Sequence, residues 1–144
     1  MTRPEHKRSW MLTLFAVFLM LLGLEDIIKP FLGSSTAAVS GARVRGSFVF
    51  FGMRLEGSWM YLGWLLAAFL FILAIGIWRM GRYASVMADC YAAYVLLNVA
   101  IYAIFHPLPG TSADRIFALL YESIAVAGSW ILAILLRRER AHLT

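Results

Sequence analysis

Three acidic side chains lie within long apolar stretches of the sequence, and their chemistry is the first feature to explain. They are Glu25, Asp89 and Glu122. An ionised carboxylate among apolar neighbours is costly, so each one must pair with a cation, take up a proton or bind a ligand. Paired carboxylates can also act as general acid and base. These positions therefore allow ion pairing between helices, proton or solute handling, or acid–base chemistry.

Two of these carboxylates share a depth with an asparagine. If their apolar stretches are helices, Glu25 and Asn98 lie about 22 Å, and Glu122 about 21 Å, from the same end of the helices at a rise of about 1.5 Å per residue. This layer predicts an outward-facing polar pocket formed by Glu25, Lys29, Arg54, Asn98, Tyr102 and Glu122. Lys29 or Arg54 would supply the counter-charge. The alternative is that the same groups only pair with one another and fix the helices together.

Residue types that commonly carry catalysis or bind metals are sparse. His6, His106 and His142 all lie outside the middle of the apolar stretches, and Cys90 is the only cysteine. The sequence contains no HExxH, CxxC, P-loop, GxGxxG or GxSxG motif. Two acids and an asparagine are weak evidence for catalysis. We therefore expect a non-catalytic protein with no cofactor and no metal.

The composition is far more apolar than that of a soluble domain. Hydrophobic residues make up 62% of the 144 residues and charged residues 15%, against roughly 45–50% and about 25% in an ordinary soluble domain. The mean hydropathy is +0.78. Too little polar surface is left to coat a soluble globule. The composition excludes a soluble enzyme, a disordered chain and a collagen-like fibre.

Four apolar stretches supply the elements that position these side chains. Each has about 20 residues, which as a helix spans about 30 Å of hydrocarbon. None alternates in polarity as the strands of a membrane barrel do. We predict helices at residues 10–28, 59–78, 83–105 and 116–136. The predicted fold class is an all-α integral membrane four-helix bundle with up-down topology, with residues 1–144 as a single transmembrane domain.

The distribution of Lys and Arg predicts the orientation. The N-terminus, the second connection and the C-terminal tail together hold eight of these residues, and the first and third connections hold five. Because cytoplasmic segments are enriched in Lys and Arg, both termini are expected in the cytoplasm. We attribute the formal net charge of +5 to contact with anionic lipid headgroups and not to nucleic-acid binding.

The connection at residues 30–56 is the one irregular region and is predicted to be a structured extracytoplasmic loop. Its apolar run at residues 48–51 lies between Gly46 and Gly52, which is unusual for a loop in water. A short hairpin, an interfacial segment and a cap over the helix ends are all compatible with it. Connections of this length are usually functional or disordered. The segment is either a loop resting on the membrane or a partner-docking surface formed by Phe48, Phe50 and Phe51.

Helical periodicity places polar and small residues on separate faces. On the third helix one stripe is formed by Tyr91, Tyr94, Asn98 and Tyr102. On the fourth, a stripe of mostly small residues is formed by Ala118, Glu122, Ala125, Ser129 and Ala133, a pattern that lets helices approach closely. Asp89 lies off the tyrosine stripe, and we expect it to meet Arg79, Arg82 or a tail arginine.

Segments around the second and third helices resemble known sequences. Residues 76–84 and 91–98, together with residues 50–55, are similar to segments of small uncharacterised four-helix bacterial inner-membrane proteins. The resemblance implies the same architecture and a bacterial inner-membrane location. It implies no particular activity.

Taken with the lack of reactive motifs, the small-residue face and the aromatic loop favour a protein that acts by association. The expected function is that of an accessory or assembly subunit of a larger inner-membrane complex, or of a small homo-oligomer. Its partners would be the lipid bilayer and other membrane subunits or copies of itself. The alternative is a small-solute or proton-coupled transporter or channel that uses the carboxylate layer. A carboxylate that titrates near neutral pH with a bound solute would favour this alternative.

Overall fold

The computed structural model describes residues 9–32, 48–55, 57–105 and 112–139. Its elements are α1 (Trp10–Leu32), β1 (Phe48–Phe50), β2 (Met53–Leu55), α2 (Gly63–Trp78), α3 (Arg82–Phe105) and α4 (Ser112–Arg138). A 3₁₀ segment, Gly57–Leu62, leads into α2. The prediction of an all-α protein with four helices is confirmed. To these helices the described residues add a short two-stranded hairpin, Phe48–Leu55, between α1 and α2.

Three of the helices are long and apolar enough to cross a membrane. Their apolar spans are Trp10–Ile28, Arg82–Phe105 and Leu119–Arg138. α2 has 16 residues, which cover about 24 Å. It is shorter than the predicted helix because the residues from 59 to 62 are wound as 3₁₀ helix. These lengths and compositions are consistent with an integral membrane protein.

Several helix ends differ from those predicted. α1 continues beyond residue 28 to Leu32 and contains Pro30. Pro30 lacks the N–H that would donate to the Asp26 carbonyl group. Because only two residues follow it in α1, no further helical turn depends on that bond. α4 begins at Ser112 and ends at Arg138, beyond the predicted limits on both sides. Apolar periodicity does not locate all of these ends, because the last turn of α1 and the first turns of α4 lie outside the apolar spans.

The helices pack mainly in two pairs, α1 with α2 and α3 with α4, and α2 also contacts α3. Gly23 lets α1 approach α2 closely, since a Cβ atom there would lie 3.3 Å from the Ala67 carbonyl oxygen and 3.2 Å from the Phe71 ring. The buried core is formed by Leu12, Ala16, Leu19, Leu70, Leu73, Ala74, Ile77, Ala84, Ala88, Ala92, Leu132, Ala133 and Leu136. The contribution of α3 to this core is all alanine, which brings the neighbouring helices close to its backbone.

The connection between α2 and α3 is a tight turn that ends α2 in a Schellman motif. The N–H of Gly81 donates to the carbonyl group of Gly76 at 2.9 Å, and that of Met80 to the carbonyl group of Ile77 at 3.2 Å. Met80 has the left-handed φ of 53° that glycine usually supplies at this position. The glycines have another use: a Cβ atom on Gly76 or Gly81 would come within 2.6 or 2.7 Å of the Tyr83 ring. They make room for this ring at the turn.

An ion pair links α3 to α4 near the end of the bundle at which α4 ends. The Nε–H of Arg137 donates to both carboxylate oxygens of Asp89, at 2.9 and 3.2 Å. Of the partners expected for Asp89, which were Arg79, Arg82 or a tail arginine, the structure shows the tail residue Arg137. Both side chains are partly exposed, so we assign the pair to fixing the alignment of α4 on α3 and not to a large share of the stability.

A buried leucine of α2 should matter more to stability than its exposed neighbour. We expect Leu73→Ala, at a position that is 0% exposed, to lower the free energy of unfolding by about 2–5 kcal/mol because it leaves a cavity. Ile72→Ala, at a position 51% exposed, should change it by less than about 0.5 kcal/mol. Unfolding in mixed detergent micelles, followed by circular dichroism, measures both. Equal effects would contradict this packing of α2.

Candidate functional site

The hairpin turns through two residues, Phe51 and Gly52. Phe50 pairs with Met53 in the antiparallel register, and the two turn residues have φ values of 47° and 71°. Two positive φ values are typical of the type I′ turn, which suits the twist of a hairpin. Glycine adopts this conformation readily, whereas it is strained for a bulky side chain. The turn at Phe51 must therefore be held by contacts outside the hairpin.

Aromatic packing on α3 supplies some of those contacts. The ring of Phe51 meets that of Tyr94 edge-on, with centroids 5.3 Å apart, and meets that of Phe50 at 4.9 Å. The Phe50 ring also lies 5.9 Å from that of Tyr94. Edge-to-face pairs of this kind contribute about 0.5–1.5 kcal/mol each beyond the area that they bury. Two of the three predicted docking phenylalanines thus pack against α3 of their own chain.

A hydrogen bond fixes the tip of the hairpin. The backbone N–H of Gly52 donates to the side-chain oxygen of Asn98 at 2.8 Å. The backbone of Gly52 lies directly on α3, because a Cβ atom there would collide with the Ile101 side chain and lie 2.8 Å from the backbone nitrogen of Tyr102. Asn98, predicted as a pocket residue, is the acceptor that anchors the hairpin.

A small cavity lies beside the docked hairpin, between α2 and α3. It is open to its surroundings, has a volume of about 270 Å³, and its lining includes Phe50, Phe69, Cys90 and Tyr94. The Tyr94 hydroxyl oxygen is buried and has no hydrogen-bond partner among the residues that the structure describes. Within the stripe Tyr91, Tyr94, Asn98 and Tyr102 of α3, the hairpin thus covers both Tyr94 and Asn98.

The buried acid of α1 is Asp26, which the sequence analysis did not select. Asp26 is 8% exposed, whereas its neighbour Glu25 is exposed. Its carboxyl group lies within electrostatic range of the hydroxyl groups of Tyr91 and Tyr94. The signal that could have found it is the spacing of four and three residues along the buried face of α1, at Leu12, Ala16, Leu19 and Gly23. That spacing continues to residue 26.

The predicted pocket residues lie on four different elements. Asn98 and Tyr102 are half-buried where the hairpin meets α3, and Glu122 is half-buried on α4. Glu25 is on the exposed side of α1. Lys29 lies in α1, Arg54 in β2 and Phe48 in β1, and the side chains of these three are outside the described parts. The hairpin is thus the feature that brings predicted residues together.

A larger groove lies between α1 and α4, and we call it the lateral groove. It encloses about 630 Å³ and is bounded by residues 14–22 of α1, residues 121–132 of α4 and Tyr91 of α3. A Cβ atom on Gly128 would meet nothing within 4 Å, so the groove is open above this residue. Ser129 is buried beside it and donates its hydroxyl hydrogen to the Val126 carbonyl oxygen at 2.8 Å.

Comparison with known proteins gives no relative, since no family model, curated protein or solved structure matches this chain. Among residues 9–32, 48–55, 57–105 and 112–139, no group of three or more His, Cys, Asp or Glu side chains is placed to hold a metal ion. The hairpin docked on α3 and the lateral groove are therefore the two features from which a function can be argued.

Adding a methyl group at Gly52 should release the hairpin from α3. We expect Gly52→Ala to speed hydrogen–deuterium exchange across residues 48–55 by at least tenfold, because the Cβ atom collides with Ile101 at a strained backbone position. Gly128→Ala is the matched control, since its Cβ atom meets nothing, and it should leave this exchange unchanged. Mass spectrometry of the peptide that contains the hairpin provides the measurement. Unchanged exchange in Gly52→Ala would contradict the docking.

Proposed function

We propose that this chain is a non-catalytic integral membrane protein that acts by association, as an accessory or assembly subunit of a larger inner-membrane complex or as a small homo-oligomer. The membrane would be the inner membrane of a bacterium. The hairpin would lie at the extracytoplasmic face, and both termini in the cytoplasm. The observation that carries the proposal is a two-stranded sheet with open edges that lies against a membrane-length helix.

Contacts between consecutive helices support an up-down arrangement of four spans. The Phe31 ring near the end of α1 stacks on Trp64 near the start of α2, with centroids 6.0 Å apart. Asp89, early in α3, pairs with Arg137, late in α4. The 3₁₀ segment covers about 12 Å and α2 about 24 Å. Their combined length of about 36 Å is enough to cross the hydrocarbon core of a membrane as a fourth span.

The docking position puts the hairpin tip alongside the apolar part of α3. Asn98 and Tyr94 are seven and eleven residues from Phe105, which is about 10 and 16 Å from the end of the helix. At that depth irregular backbone is tolerated where protein or a water-filled cavity surrounds it. The side chain of Asn98 supplies a protein hydrogen-bond partner for the Gly52 N–H group. Other backbone groups of the hairpin need hydrogen-bond partners at this depth too.

The hairpin has open edges. In the described part of the chain β1 and β2 have only each other as sheet neighbours. The pair that flanks a two-residue turn exchanges hydrogen bonds, so the backbone groups of the next pair, Val49 and Arg54, point away from the ladder. Such edges pair readily with another chain. A partner that covers the hairpin would satisfy these groups and bury the exposed side chains of Phe51 and Met53.

The geometry supports association better than transport. Transport through the predicted carboxylate layer needs Glu25, Asn98 and Glu122 to line one pathway. The side-chain oxygen of Asn98 instead accepts a hydrogen bond from the hairpin backbone, and Glu25 lies on an exposed side of α1.

Native mass determination after gentle detergent extraction from the original host tests the association. We expect a stoichiometric assembly, with other membrane chains or with copies of this one. Met53→Glu, at a position 61% exposed on β2, should dissociate it by placing a charge on the contact surface. Ile116→Glu, at a position 59% exposed on α4 and outside its apolar span, is the matched control and should leave it intact.

Two results would contradict this proposal. A wild-type chain that is extracted as a lone monomer would exclude an association role. An assembly that survives Met53→Glu as well as Ile116→Glu would exclude the hairpin as its contact surface.

A further inference from the structure

The turn of the hairpin holds a bulky side chain in a backbone conformation that glycine usually adopts. Phe51 has a φ of 47° at the first of the two turn positions. For a residue with a Cβ atom this left-handed conformation is unfavourable, because the Cβ atom comes too close to the following carbonyl oxygen. Strained residues persist where their surroundings hold them, and they cluster at switch regions of proteins. The strain at Phe51 therefore works against the docked hairpin.

The contacts that hold the hairpin on α3 are individually of the same size as this strain. The Gly52 N–H group donates to Asn98 at 2.8 Å, and the Phe51 ring meets that of Tyr94 with centroids 5.3 Å apart. A hydrogen bond and an edge-to-face pair each contribute about as much as one left-handed residue costs. Each strand has three residues, and a two-stranded hairpin is marginally stable by itself. Release of the hairpin therefore requires much less free energy than unfolding of the helices.

The contact surface of the proposed function exists only while the hairpin is docked. Its open edges and the exposed side chain of Met53 depend on the pairing of β1 with β2, and this pairing depends on α3 for its stability. A partner that binds this surface therefore binds the docked state and not the released one. Such a partner shifts the equilibrium toward docking by the difference in its affinity for the two states.

We propose that the hairpin is a conformational switch, which the strained turn at Phe51 releases from α3 in the free chain and which a bound partner holds in the docked state. Assembly is thereby coupled to the covering of Asn98 and Tyr94. The coupling to a partner rests on the proposed function. The release does not, because it depends on contacts within one chain.

Amide hydrogen exchange of the full chain in detergent, resolved to single residues, tests the release. The Gly52 amide hydrogen reports docking directly, since it is bonded to Asn98. After correction for intrinsic rates, we expect it to exchange about a hundredfold or more faster than the amides of the buried α3 residues Ala88 and Ala92. Equal protection of these amides would overturn the switch, because the hairpin would then open only when the bundle unfolds.

A matched pair of variants isolates the strain. Phe51→Ala and Phe51→Gly both remove the ring that packs on Tyr94, but only glycine adopts the left-handed φ at no steric cost. We expect the protection of the Gly52 amide to be about fivefold or more higher in Phe51→Gly than in Phe51→Ala. Circular dichroism establishes that both variants fold. Equal protection in the two, or higher protection in Phe51→Ala, would overturn the role of strain in the release.

The same measurement on the assembly extracted from the host tests the coupling. We expect the Gly52 amide to be about tenfold or more better protected in the intact assembly than in the free chain, with the Ala88 amide unchanged. An assembly that forms without this gain would overturn the coupling and leave the association standing. A chain that is extracted only as a monomer would contradict the proposed function, and the two Phe51 variants would still decide whether strain releases the hairpin.

Discussion

The hydrogen bond from the Gly52 N–H group to Asn98 is the contact on which the rest of the functional architecture depends. It places the tip of the hairpin on α3 and satisfies a backbone donor beside a helix long and apolar enough to cross a membrane. The strained turn at Phe51 persists because this bond and the ring of Tyr94 hold both sides of it. Without that support, a two-stranded hairpin is marginally stable.

The packing of the helices explains why the docked hairpin and the lateral groove lie where they do. Gly23 brings α1 close to α2, and the Asp89–Arg137 ion pair fixes α4 on α3. The bundle is therefore two tight pairs, and the gap between α1 and α4 remains as the lateral groove. Tyr91 borders both this groove and the cavity beside the hairpin, so one side chain of α3 separates the two surfaces.

The acidic residues divide between these environments. Asp26 is buried within electrostatic range of Tyr91 and Tyr94 of α3. Asp89 is paired with an arginine, Glu25 is exposed on α1, and Glu122 is half-buried on α4. This division follows from helical geometry, since adjacent residues of α1 point about 100° apart. A shared depth along the helices therefore does not by itself define a pocket.

The sequence by itself determined the apolar composition and the four helices, because hydropathy and helical period are local properties. For Asp89 it predicted an arginine partner and left open which of three groups would supply it. It also identified Asn98 as a pocket residue and Phe48, Phe50 and Phe51 as docking residues, but it did not predict that Asn98 would contact the segment that carries these phenylalanines. The tertiary structure decided that Asn98 anchors the hairpin and that Asp26 is the buried acid of α1. It also decided that α1 and α4 leave a groove. The anchoring of the hairpin and the groove depend on how side chains distant in sequence fill space together, and no local pattern contains that information. The burial of Asp26 does follow a local spacing along α1, but only the structure shows which face of α1 is the buried one.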